Sequence, residues 1–318
     1  ANALLNGEVQ AIIYNSSQTS IIQEQIPEYE KSIKIIYTHN IVVEIQNEVV
    51  DSDMTEPFAV YLSGMDTYNE ISSADRSDVN IIAVVNPQSH QILLVTTPRD
   101  YYVTIPNISG RQRDKLTHAG IYGIDVSMDT LGMLYDISLD KYFRVNFAGF
   151  IKIIDALGGI DIDSDAAFTA STDQEYSFTK GMNHMNGAAA LAYSRERYAF
   201  QEGDRARGRH QMQVISAVIQ KAMSPEMLSH YTEVLNGIEG CFDTNFSYDR
   251  MAELVRQQLE DGGSWNIVSY SVDGTGDTRQ PYSMSANAYV MIPDQTTVDE
   301  AKALMQQVVD GEVIDLNK

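Results

Sequence analysis

Five of the chain's thirteen arginines, Arg195, Arg197, Arg205, Arg207 and Arg209, fall within the stretch SRERYAFQEGDRARGRHQ, which contains no lysine. The chain carries a formal net charge of -22, so this density of positive charge does not follow from bulk composition. Arginine presents paired donors in a planar fork that matches carboxylate and phosphate oxygens. Two further features extend the pattern. Asp66 and Asp78 bracket a loop, GMDTYNEISSADRSDVN, that also holds Arg76, and Arg99 follows an apolar run in TTPRD. Two carboxylates on one loop suit a hard divalent cation, Mg²⁺ or alternatively Mn²⁺, with water and phosphate oxygens completing its shell. Acidic loop, single arginine and arginine cluster together describe a site where metal and guanidinium groups neutralise a diphosphate during phosphoryl transfer. On the residues alone, the plainer account of the aspartates, that they cap turns, stays open.

Such a site needs a scaffold that gathers three distant segments. FAVYLSGMD predicts a buried strand ending in a polar loop at Asp66, and VNIIAVVNPQSHQILLVTT predicts two strands joined by a turn at Asn86–Pro87–Gln88. HAGIYGIDVSMDTLGMLYDI has helical spacing, DKYFRVNF reads as a strand, and AGFIKIIDALGGI predicts a short helix closed by Gly158 and Gly159. Periodicity from about Gly208 to Met223 predicts a helix starting at the arginine cluster. If YSRERY is extended, Arg195 and Arg197 share a face. On a helix, Arg207 and Gln211 are neighbours at i,i+4, near an N-terminus suited to anions. SYDRMAELVRQQLED and TTVDEAKALMQQVVDG predict further helices around the strands WNIVSYSVDG and AYVMIP. The expected class is α/β, a mixed central sheet flanked by helices on both faces. In such sheets ligands bind outside strand ends, where Asp66, Asp78 and Arg99 fall.

Composition narrows the functional classes. With 44 acidic against 22 basic side chains, broad nucleic-acid binding and loose adhesion to anionic lipid are both disfavoured. Cys241 is the only cysteine, which excludes an intramolecular disulfide and a multi-cysteine zinc site. No apolar run is long enough to span a bilayer. The chain opens ANALLNGEVQ without a methionine, as expected of a fragment from which a targeting or anchoring segment has been removed. Residues 1–50 carry apolar patches, EVQAIIYN and SIKIIYTHNIVVEI, that predict strands around a short helix at TSIIQEQIPEYEKS, and the acidic VVDSDMTEP predicts a linker. GxSxG, HExxH and a Gly-rich phosphate loop are absent, so serine hydrolase, zincin and P-loop chemistry lack support.

The segments SGMDTYNEISSADRSDVNIIAVVNP, TTPRD, DKLTHA, YFRVNFAGFIKIIDALGGIDI and LAYSRERYAF…GDRARGRHQMQVI resemble, in order and spacing, the LytR–CpsA–Psr family of Gram-positive bacteria. The likeness extends over roughly residues 55–315 and is strongest to streptococcal CpsA-type capsule proteins. It implies residues 1–50 as part of an accessory domain and 51–318 as the catalytic domain, outside the cell and anchored in the membrane through a segment absent from this chain. It implies a phosphotransferase that moves a glycopolymer, capsular polysaccharide or wall teichoic acid, from undecaprenyl diphosphate to peptidoglycan, with the polyprenyl chain in a lipid-accommodating hydrophobic pocket. By motif, Asp66 and Asp78 match the metal-linked aspartates and Arg76 the arginine beside them. Arg99, Arg195, Arg197, Arg207 and Gln211 match the diphosphate-binding positions. Arg205 and Arg209 match no role and are expected on the surface or behind the site. His118 of DKLTHAG is expected to start a helix or pack rather than to catalyse. Two rivals share the same residues: a diphosphatase that uses water as acceptor, and a polyprenyl-phosphate binding module that regulates capsule assembly.

Overall fold

The computed structural model describes residues 2–14, 22, 26, 29–37, 55–68, 71 and 75–316. Its centre is a six-stranded mixed sheet of β1 (Phe58–Gly64), β2 (Val79–Asn86), β3 (Gln91–Thr96), β4 (Lys141–Val145), β5 (Phe242–Thr244) and β6 (Asn266–Ser271). The strand order is β5-β4-β1-β2-β3-β6. β1 pairs β2, β2 pairs β3 and β4 pairs β5 antiparallel, whereas β1–β4 and β3–β6 are parallel. The central strands are covered on both faces, which is why VNIIAVV and QILLV read as continuous apolar runs rather than alternations.

The two faces have different neighbours. Tyr61, Ile82, Val84, Leu93 and Val95 pack on helices α1 (Ile124–Tyr135) and α6 (Gln295–Val309) through Met128, Leu131, Val298, Ala301 and Met305. Val60, Ile81, Ala83, Ile92 and Leu94 face the other way, towards Met212, Ile215 and Ile219 of helix α4 (Asp204–Ala222). Beyond them lies a second apolar layer. There helices α2 (Phe147–Ala156) and α3 (Gly187–Arg195) meet α4 and the hairpin Ile160–Ser164/Gly181–Met185. Helix α5 (Tyr248–Asp261) completes this side. The mixed sheet with helices on both faces is as the sequence predicts.

Local outcomes differ from expectation at four places. The stretch from His118 to Ile137 is not one helix: a four-residue helix, Leu116–Ala119, and a 3-10 turn, Gly120–Tyr122, precede α1. The break falls at Gly123, whose φ of 119° lies outside the helical region. Helix α4 begins at Asp204 rather than near Gly208; its first turn offers one small apolar residue, the buried Ala206, and so no apolar periodicity to read. The hairpin partner of Ala288–Pro293, strand Gly274–Arg279, gives no strand signal because GTGDTR has no large apolar residue and two glycines and an aspartate offset its threonines. Residues 9–14 and 33–37 are irregular where strands are expected. Among the described residues no strand pairs with them, and β-propensity alone does not hold a strand. Apart from 2–14, 22, 26 and 29–37, the first fifty residues lie outside the described residues, as does all of VVDSDM.

Two glycines let α2 and α3 approach their neighbours closely. A Cβ on Gly187, the first residue of α3, would lie 2.3 Å from the Ile151 carbonyl oxygen of α2, and one on Gly149 would lie 1.8 Å from that of Cys241. Gly187→Ala therefore forces α3 off α2 and should cost about 1–3 kcal/mol, typical of overpacking. Gly237→Ala adds a Cβ with nothing within 4 Å and, in a helix, should gain up to about 1 kcal/mol. Urea unfolding of the two variants tests this; equal stabilities would contradict the packing described.

Candidate functional site

A cavity of about 770 Å³ lies between the second sheet face and helices α2 to α5. Phe58, Val60 and Leu62 of β1, Val79, Ala83 and Val85 of β2, Ile92 of β3 and Phe143 of β4 form its floor. Ile153 and Ile154 of α2, Leu191 of α3, Ile215, Val218 and Ile219 of α4, and Met251 and Leu254 of α5 line the opposite side. Because residues from both ends of β1 and β2 contribute, the cavity runs the length of the strands, on the order of 25 Å at about 3.3 Å per residue. His90 and Trp265, ring centroids 5.3 Å apart, stand at the end away from the polar residues.

All the lining arginines and aspartates gather at the other end. Asp66 follows β1, Asp78 precedes β2, Arg99 follows β3, Arg195 ends α3, Arg197 lies just past it, and Arg207 and Gln211 sit one turn apart on α4. Each aspartate faces an arginine from a distant segment. Arg99 donates to Asp78 at 2.6 Å, with side-chain exposures of 24% and 12%, whereas Arg195 reaches Asp66 at 3.5 Å, with exposures of 37% and 47%. The Arg195 guanidinium also lies over the Phe147 ring at 4.4 Å, and that of Arg197 over Tyr198 at 4.6 Å. Arg76 sits in the loop before Asp78 but is not among the residues lining the cavity. The other two clustered arginines turn elsewhere: Arg205 donates twice to Asp273, and Arg209 pairs with Glu202 at 3.2 Å.

A buried polar network fixes the described end of the acidic loop at Ser77. Ser77, beside Asp78, shares hydrogen bonds with Tyr61 and Ser63, and Tyr61 donates to Asn80 at 2.7 Å. Backbone contacts tie the same loop to DKLTHAG: Ser77 N–H donates to Thr117, Thr117 N–H donates to Arg99, and a Cβ on Gly120 would meet the Asp75 oxygen at 2.4 Å. His118 is fully buried, with Nδ1 2.6 Å from Asp114, whose carboxylate also accepts from the Ser283 amide. It packs, as expected, beside Thr117, whose backbone joins the Arg99 and Ser77 segments.

Sequence and fold both have counterparts among known proteins. A profile of the LytR_cpsA_psr family matches residues 11–307. The Enterococcus faecalis polyisoprenyl-teichoic acid–peptidoglycan teichoic acid transferase TagU is 36% identical over 241 residues, 75% of this chain and 77% of that protein. The chain belongs to the LytR–CpsA–Psr family. Among solved structures, TagV of B. subtilis superposes with a TM-score of 0.68 at 27% identity, covering 82% of this chain and 99% of that one. TagT bound to LI-WTA superposes at 0.64 with 25% identity, covering 83% and 96%.

Three residues of this LytR–CpsA–Psr domain bear on the mouth and escaped the sequence analysis or received no defined part in it. Arg144 interrupts the apolar strand β4, is 1% exposed, and donates to the Asp75 carbonyl at 3.0 Å, bracing the acidic loop from below. A charge inside a strand of apolar residues was the available signal. Glu196, between Arg195 and Arg197, is equally buried. His210 stacks on Phe168 and contacts Tyr193 and Phe200.

Arg195 and Arg197 reach the same mouth by an unexpected route. YSR finishes helix α3, and Glu196 just past it, with φ -67° and ψ 131°, is extended. Arg207 and Gln211 do share a helical face.

Burial, then the Arg209 charge, pushes the His210 pKa down from 6.5 to about 4, against smaller upward effects of Glu196 and Asp165. Between those two values the unfolded chain binds a proton that the folded one does not. Folding stability should therefore fall as pH drops from 6.5 to 4.5, by up to about 1.4 kcal/mol per unit from this group. Denaturant unfolding across that range should show the slope in the native protein and a flatter profile in His210→Gln. Identical profiles would contradict a neutral, buried His210.

Proposed function

We propose that this domain is a phosphotransferase that moves a glycopolymer, of wall teichoic acid or capsular polysaccharide type, from undecaprenyl diphosphate to peptidoglycan. The observation that carries the proposal is the continuity of a strand-length apolar cavity with a mouth holding four arginines, two aspartates and Gln211. A polyprenyl chain fits the first and a diphosphate the second. The name of TagU, a polyisoprenyl-teichoic acid–peptidoglycan teichoic acid transferase, supports the same donor and acceptor classes here. We assign the catalytic part to 51–318 and residues 1–50 to an accessory unit. No helix among the described residues is long and apolar enough to cross a membrane, and we attribute anchoring to a segment outside this chain.

In the proposed reaction a peptidoglycan hydroxyl attacks the phosphorus that bears the polymer's first sugar. A new O–P bond forms, the P–O bond to the bridging oxygen breaks, and undecaprenyl phosphate leaves while the acceptor loses its proton. Arg99, Arg195, Arg197 and Arg207 neutralise charge on the two phosphates, and Gln211 donates to their oxygens. Of the two carboxylates Asp78 is the more tightly paired, with Arg99 at 2.6 Å, and Asp66 the more exposed, with Arg195 at 3.5 Å.

The two carboxylates fit a hard cation. Among the described residues no group of three His, Cys, Asp or Glu side chains could hold a metal, a donor set unsuited to a zinc cage but sufficient for Mg²⁺ or Mn²⁺ completed by phosphate oxygens. Asp66 and Asp78 would hold the ion, which when bound neutralises phosphate charge.

The arginine cluster supplies an internal control. Transfer of labelled oligosaccharide from undecaprenyl diphosphate to peptidoglycan should fall on the order of a thousandfold in Arg99→Ala and Arg195→Ala, as for arginines that stabilise a transferring phosphoryl group elsewhere. Arg205→Ala and Arg209→Ala should stay within a few-fold of the native rate, and chelator should abolish transfer. Equal losses across all four variants would contradict the assignment. Release of sugar phosphate without attachment would make the protein a diphosphatase.

A further inference from the structure

The motif SRER sets a carboxylate between two arginines of the mouth, yet Glu196 faces away from the cavity. Its carboxylate accepts from the Ser171 amide at 2.5 Å, the Ser171 hydroxyl at 2.9 Å, and the Tyr198 and Ala199 amides at 2.7 Å each. Three of the four donors converge on Oε1 and the Ser171 amide reaches Oε2, so both oxygens are engaged. Burial alone would raise its pKa, but the bonds from Ser171, Ala199 and Tyr198 outweigh burial and hold it below the ordinary value. Without such bonds, burying the charge would be costly.

Both ends of this junction belong to the cavity rim. On one side are Arg195 and Arg197; on the other, Thr172 follows Ser171 and lines the same cavity. His210 closes the junction from α4, its ring sitting among Phe168, Tyr193 and Phe200. Arg207 and Gln211 flank His210 on α4, so the helix that carries them also touches the loop bearing the other two arginines.

We propose that Glu196 is a positioning residue for the diphosphate site, a buried carboxylate clamp that fixes Arg195 and Arg197 against the Ser171–Thr172 turn. The inference rests on the arginines binding diphosphate as proposed above. Its chemistry is specific. Every partner of the carboxylate donates through an N–H or O–H, so Glu196→Gln would set an amide N–H₂ against a donor while keeping the same shape. That substitution should therefore loosen the loop without changing its bulk. A displacement of about 1 Å in groups that orient a reacting centre can cost on the order of a hundredfold.

The test uses the whole 318-residue chain, with inorganic diphosphate and Mg²⁺ in titration calorimetry, an uncharged polyprenol to probe the cavity alone, and thermal unfolding for integrity. Arg195→Ala is the reference for loss of a direct contact. Glu196→Gln should weaken diphosphate binding on the order of tenfold to a hundredfold and leave polyprenol binding unchanged; Ser171→Ala, which removes one donor, should weaken it several-fold. If Arg195→Ala weakens diphosphate but Glu196→Gln binds it like the native chain, the clamp is structural only and the proposal falls. If Arg195→Ala itself binds normally, the diphosphate site is misassigned and the clamp falls with it. Should Glu196→Gln fail to fold, Ser171→Ala decides, and native diphosphate affinity there overturns the proposal.

Discussion

Helices α2, α3 and α4 must stand away from the sheet far enough to leave a strand-length channel, yet stay fixed to one another. Everything else at the site depends on that spacing. It is achieved by making the helix–helix contacts tight where the helix–sheet contacts are loose. Gly187 brings α3 onto the α2 backbone, and Gly149 seats α2 against Cys241. Ile154, Ala190, Tyr193 and Val214 then form an apolar layer of their own. The side chains of β1 and β2 that would otherwise complete a sheet–helix core, Val60, Leu62 and Val79, line the channel instead. A rigid outer layer therefore holds the roof, and the opposite face, packed on α1 and α6, carries the ordinary core.

The mouth follows from strand connectivity. β1 ends, β2 begins and β3 ends at the same edge, because β2 is antiparallel to both neighbours. The chain thus delivers Asp66, Asp78 and Arg99 to one place at no cost in topology, and α3 and α4 add arginines from above. Four arginines gathered in a protein of net charge -22 would repel one another without counterions. Asp66 and Asp78 supply two of these within the protein. Partly exposed pairs of this kind contribute little to stability, so their value lies in holding guanidinium groups in orientation for an anion. The buried supports do the holding: Arg144 beneath Asp75, Ser77 on Tyr61 and Ser63, and Glu196 on Ser171.

Much of this was legible in the residue order. The apolar runs of β1 to β4 pointed to the sheet class, since strands covered on both faces read as unbroken apolar segments. The pairing of Arg207 with Gln211 followed from helical spacing, and Gly158 and Gly159, with φ of 73° and 89°, do close α2. What could not be read were contacts made across the fold. Nothing in SRER says that the middle residue turns inward to a serine 25 positions earlier. The resemblance set Arg205 and Arg209 apart from the other three, but that Asp273 and Glu202 hold them is visible only in the fold. The helix start at Asp204 was hidden because its first turn offers no apolar periodicity. Strand propensity also misled at residues 9–14 and 33–37, where no partner strand is described.

The most direct test is a crystal structure of the chain with a polyprenyl diphosphate. The isoprenoid should run along the β1–β2 face between Leu62 and Val85, with the phosphates within hydrogen-bond reach of Arg99, Arg195, Arg197 and Arg207. Phosphates bound elsewhere, or a lipid outside the channel with the mouth arginines uncontacted, would contradict the central claim that channel and mouth form one site.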